Sequence, residues 1–200
     1  MKPELYEQFI SLKEMGRRAE AKVVLDEFIA SFQSFGEKAV WVRAFLERQE
    51  FEDKIRHEIY EQLVFPVLLE GYSRKEVWSV FNLAKTSQNL YAAKSLHAVV
   101  EFRSEFQFLI EAYELEPTEQ VRKYLLDRQI RGFHYSQHEW PAGILYGSNG
   151  ASLDECDEIL QEVTAARILD RENVRSLFLT EFEAKVKEYK SRLSQRQSIG

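Results

Sequence analysis

Apolar residues recur every three or four positions along almost the whole chain, and only residues 131–150, RGFHYSQHEWPAGILYGSNG, break that rhythm. A period near 3.6 places the apolar side chains on one stripe of an α-helix, whereas a half-buried strand needs strict alternation. No stretch alternates over a strand length, so the sequence predicts an all-α fold. The stripes run Leu5, Phe9, Leu12; then Ala21, Leu25, Phe28, Phe32; then Val40, Trp41, Ala44, Phe45; then Phe51, Ile55, Ile59, Leu63. Further along come Trp78, Phe81, Leu83; Leu90, Ala93, Leu96, Val100; Phe102, Phe106, Leu109, Tyr113; and Val121, Tyr124, Leu125. The last helix sets Phe178, Phe182, Val186, Tyr189 and Leu193 on one face.

The breaks between stripes carry stop and start signals. Gly16 ends the first helix, so the first two helices pair as a tight antiparallel hairpin, and Gly36 precedes the third. Pro66 lacks a backbone donor and crowds the preceding turn, which predicts a kink or break near residues 63–65. Gly71 is read as a stop, and Ser73 with Glu76 has the spacing of a capping box. Residues 85–89 form a polar break. Pro117 suits a first helical turn, and Ser152 with Glu155 repeats the capping spacing ahead of a stripe of Leu153, Cys156, Leu160 and Val163. Helical hairpins starting near residues 3, 37, 73 and 101 are spaced as in helical repeats. The expected organisation is a single all-helical domain over 1–200: a helical block at 3–132, a Gly- and Pro-containing loop at 133–150, and a C-terminal helical pair at 151–195. Its antiparallel hairpins stack as an irregular α-solenoid or close into a compact multi-helix bundle.

Within the first hairpin, GRRAEA puts Gly16 at the turn and Ala21 five positions on, and IEAYELEP at 110–117 ends an Ala-containing helix with a Pro. These two places resemble the tetratricopeptide repeat family. The family's Trp and Leu-Gly positions are missing from the first helix, and the other hairpins lack the Gly and Ala pair. The resemblance implies protein or peptide binding on a concave face, and it implies no catalytic residue.

Charge narrows the partners. A net charge of −6 argues against nucleic acid, whose backbone is bound by clustered Lys and Arg. Acids gather at 101–119 and 154–162 and bases at 185–196, runs that read first as solvated helix faces. The N-terminal MKPELYEQFI has acids where a signal peptide needs an apolar core, and no run reaches the length of a membrane span. The lone Cys156 cannot close an internal disulfide and sits on an apolar stripe, so a buried thiol and a cytoplasmic location are expected.

Segment 131–150 holds four of the chain's eight Gly and two of its four His. His134 and His138 lie four apart and Glu139 follows, so on a continuing helix both imidazoles face one side and can share a divalent metal. The zincin pattern, with its Glu between the two His, is not met. The competing reading has the two His finishing a helix end. Trp140 precedes Pro141, which ends the helix by Glu139. Beyond it, Trp140, Ile144 and Leu145 fold back as a plug, or Trp140 and Tyr146, with Tyr135 and Glu139 beside them, form a recognition loop.

The sequence contains no phosphate-cradling Gly loop, nucleophile elbow or zinc Cys motif. The leading expectation is a non-enzymatic protein without cofactor that binds another protein or peptide, as an adaptor or as an immunity-type inhibitor. The alternative is a metal-dependent hydrolase using His134, His138 and Glu139, in which the metal activates water.

Overall fold

The computed structural model describes residues 1–48 and 55–199, with side chains as far as Gln195. Helices dominate it, as the periodicity predicts, and the sole strands among the described residues form a ribbon of two-residue segments. Phe51 of the fourth stripe and the side chains of the 196–200 tail lie outside the described residues. No described helix is long and apolar enough to cross a membrane. The chain gathers into two compact units, Met1–Glu116 and Pro117–Gly200.

The first unit opens with α1 (Pro3–Glu14) and α2 (Arg18–Ala30), which pack along their length as the expected hairpin. Gly16 makes the turn at φ +75°, a left-handed conformation that suits a residue without Cβ. Phe9, Leu12, Ala21, Leu25 and Phe28 are buried. Helix α3 (Phe35–Arg48) follows, and Gly36 lies within its first turn rather than ahead of it.

The helix carrying Pro66 shows how a missing donor is absorbed. Between α4 (His57–Ile59) and α5 (Phe65–Ser73) the turn widens to a π-helix over Tyr60–Val64, where the Phe65 amide donates to the Tyr60 carbonyl. A regular helix would send the N–H of residue 66 to the Gln62 carbonyl, and proline has none. The Lys38 ammonium donates to that carbonyl instead, at 3.4 Å.

Helix α5 corrects two expectations. Gly71 lies inside it: a Cβ there would fall 1.9 Å from Ser79 Oγ of α6 (Val77–Lys85), so this glycine serves close helix contact and not a stop. Ser73 and Glu76 form no capping box. The Ser73 hydroxyl donates back to the Glu70 carbonyl at 2.7 Å, and the turn is made by Lys75 at φ +58°.

Residues 85–100 divide into α7 (Ser87–Ala92) and α8 (Lys94–Val99), with breaks at Thr86 and Ala93. Phe102 starts no helix, because Glu101 and Phe102 both take φ +56° in a turn. Helix α9 (Glu105–Leu115) begins beyond them at a capping box of Ser104 and Gln107, a spacing the stripe reading passes over.

The second unit holds α10 (Glu119–Ser136), β1 (Leu145–Tyr146), β2 (Asn149–Gly150), α11 (Leu153–Leu169) and α12 (Ser176–Ile199). Thr118 caps α10, so Pro117 precedes the cap instead of entering the first turn. The Ser152 and Glu155 capping box forms as expected, and Cys156 is buried. Arg122, with a side chain 0% exposed, pins the turn after α11 to α10. Its guanidinium donates to the Leu169 carbonyl and pairs with Glu119 and Glu172. In the same turn both carboxylate oxygens of the buried Asp170 accept backbone N–H groups, from Val174 at 3.0 Å and Arg175 at 2.7 Å.

Candidate functional site

Helix α10 runs through Ser136, so the irregular segment starts later than residue 133, and His134 and Tyr135 are helical. Each residue of the segment then finds a definite place. Ile144 is the plug, at 0% exposure, and the Ala151 amide donates to its carbonyl at 2.7 Å, closing a short loop around the ribbon. Trp140 and Leu145 are half-buried, so the burying role expected of all three falls on Ile144. Gly147 supplies the ribbon's turn at φ +59°. Gly150 lies against Tyr189 of α12, whose hydroxyl would be 3.2 Å from an added Cβ.

Tyr146 donates its hydroxyl to Glu158 of α11 at 2.6 Å. That hydrogen bond to a carboxylate, with burial and the negative charges of Glu158, Glu162 and Glu155, pushes its phenol up to about 12. Tyr146 therefore stays a neutral donor. Tyr135, His138 and Glu139 are exposed. His134 packs its ring 4.3 Å from Phe178 and approaches the Gln137 amide nitrogen at 3.5 Å. Gln137 in turn accepts from Lys185 at 2.7 Å. Among the described residues, no three His, Cys, Asp or Glu side chains gather as a metal-ligand group.

Trp140 meets a residue that its own segment does not announce. Arg192 of α12 holds its guanidinium 5.1 Å from the Trp140 ring centre and 5.9 Å from that of Tyr189, a cation over aromatic faces. Its Nη2 donates to the Pro141 carbonyl at 2.8 Å. The basic run at 185–196 contains this side chain but does not single it out from its neighbours.

The first unit carries a separate feature, an open groove of about 670 Å³ along α1 and α3. Tyr6, Ile10, Val40, Trp41, Ala44 and Phe45 line it, with Glu7 and Arg48 as its charged side chains. Aromatic packing builds its wall. Trp41 stacks on Phe45 at 4.7 Å and meets Tyr6 and Phe28 edge-on at 5.4 and 5.2 Å. Burial among these rings raises the Tyr6 phenol above its ordinary value. Val40 stands 72% exposed at the groove. The sequence shows each of these residues on its own helix stripe, but their meeting is tertiary. The clue was an excess of rings over what one core face uses: Tyr6, Phe9, Phe28, Phe32, Phe35, Trp41 and Phe45 within 48 residues.

No family model matches the chain, and neither a curated protein nor a solved structure matches it.

Proposed function

We propose that this chain is a non-enzymatic protein-binding protein, an adaptor or inhibitor, that takes an apolar segment of a partner into the groove between α1 and α3. The observation that supports the reading is the groove itself, concave and open, with aromatic walls and an exposed Val40. Exposed apolar surface in a concave setting costs free energy until something covers it, and rigid aromatic rings give large contact area at little entropic cost. Glu7 and Arg48 are the polar members that would orient the partner segment. A reducing cytoplasm is the compartment we assign, where the single buried Cys156 stays a thiol.

The test places a charge in the groove. Val40→Glu alters a side chain that is largely in water, so the helix should persist while a buried carboxylate would be forced on any complex. Affinity capture from the native host should yield a stoichiometric partner, and Val40→Glu should weaken its retention by about thirtyfold, the effect of losing one hot spot of about 2 kcal/mol. Equal retention by the variant, or no stoichiometric partner, would overturn the reading.

A further inference from the structure

The cations of α12 differ in what they meet. Lys190 pairs with Asp157, Lys187 pairs with Glu183 at 2.5 Å, and Lys185 donates to the Gln137 amide at 2.7 Å. Arg192 has no carboxylate partner among the described residues, in a chain with 33 acids against 27 bases. Among the described residues its hydrogen bond runs from Nη2 to the Pro141 carbonyl. Its Nε is sealed from water and has no acceptor among the described residues, whereas Nη1 has no hydrogen-bond partner among them and is not sealed in that way.

A guanidinium offers five N–H donors in a planar fork that matches a carboxylate. Here the fork is held over Trp140 and Tyr189 and tied at one corner to Pro141, so little rotamer freedom remains to be lost on binding. Ring faces in place of water lower the local dielectric and strengthen the attraction of this cation for an anion. A charged group kept partly dry and short of acceptors is incomplete, and a carboxylate supplies both the charge and the lone pairs it lacks.

From these observations we infer that Trp140, Pro141 and Arg192 form a receptor for the side-chain carboxylate of an aspartate or glutamate on a partner protein. The incoming oxygens engage the Nη1 edge of the guanidinium, and the Trp140 ring receives the methylene stem of the acidic residue. This receptor lies in the second unit and does not depend on the groove of the first. It involves no change of covalent bonds.

The experiment titrates the full chain, labelled with nitrogen-15, with capped tetraglutamate and capped tetraglutamine peptides at low salt. The Trp140 indole N–H signal, identified by its loss in Trp140→Phe, is the readout. Tetraglutamate should shift it saturably and tetraglutamine should not, and raising the salt should reverse the shift, because screening weakens an exposed ion pair. Arg192→Gln should weaken the interaction about tenfold or more, and Arg192→Lys should weaken it less, because the charge survives without the fork. Equal shifts from the two peptides would overturn the inference, as would a response in Arg192→Gln equal to that of the native chain. A response only to tetra-alanine with a free carboxyl end would overturn it in favour of a chain terminus. Should Arg192→Gln fail to fold, the two peptides on the native chain still decide the matter. Val40→Glu should leave this titration unchanged, which separates its outcome from that of the groove.

Discussion

The α1–α3 region of the first unit and the turn that follows α11 in the second are held in opposite ways. In the first, Tyr6, Phe28, Trp41 and Phe45 stabilise one another through ring area, and the polar groups sit at the margin. In the second, Arg122 and Asp170 hold the backbone by directed hydrogen bonds from buried positions. Ring packing is tolerant in direction but sensitive to volume, whereas polar bracing is sensitive to the loss of a single acceptor or donor. The contrast teaches where each unit can be altered. The aromatic region accepts a new charge at its rim and resists truncation at its centre, whereas the braced turn is weakened by the loss of a single buried polar group.

Fluorine signals from 5-fluorotryptophan report on the units separately, Trp41 and Trp78 on the first and Trp140 on the second. The largest effect is expected from Phe28→Ala, which removes a fully buried ring from the centre of the aromatic cluster and should destabilise the first unit by about 3–5 kcal/mol. A midpoint of urea unfolding for Trp41 unchanged from the native chain would refute the volume argument. Gly71→Ala comes next, because its Cβ would overlap Ser79 and force α5 from α6 at a cost of about 1–3 kcal/mol. Adding Ser79→Gly removes both clashing atoms, and the double variant should regain most of the loss.

Asp170→Ala leaves two backbone donors without acceptors and should destabilise the second unit by about 1–2 kcal/mol. The Trp140 signal should follow this loss and the Trp41 signal should not. The smallest effect is set by acid. Hydrogen bonding to Arg122, foremost, holds the Glu119 carboxyl down to about 2 from an ordinary 4.5. A depressed carboxylate pKa contributes stability that is complete above the unfolded value and lost as pH falls through the folded one. The urea midpoint of the second unit should therefore decline from about pH 4.5 toward pH 2, and Glu119→Gln should flatten that slope. An identical slope in the variant would remove Glu119 from the account.

Helices were legible because their signal is local. The Gly16 turn, the Ser152 cap and the burial of Cys156 follow from spacing alone. Gly71 misled because a glycine near a helix end has two uses, a stop or a close contact, and the Ser79 that decides between them lies on the next helix. The stripe from Phe102 hid a turn, since nothing in the side-chain pattern marks left-handed backbone at Glu101 and Phe102. At the irregular segment, Trp140 and Tyr146 could be singled out as unusual residues. Their partners could not, because Arg192 reaches Pro141 across 51 positions and Glu158 sits on a separate helix. The groove was less legible still, since it is a relation between helices whose separate stripes look ordinary.

The wide turn at Tyr60–Val64 bears on how the chain can change length. A π-turn holds one residue beyond what regular winding needs, so the helix on either side keeps its rotational phase. Val67 and Leu68 of α5 therefore face inward just as they would if the extra residue were gone. Dropping the exposed Glu61 would keep the phase of α5 while restoring the crowding of a regular turn before Pro66, whereas a deletion within α5 would swing each later side chain by about 100°. The helix carries its own slack, at the one position where a shift of reading along the chain does not become a rotation of its surface.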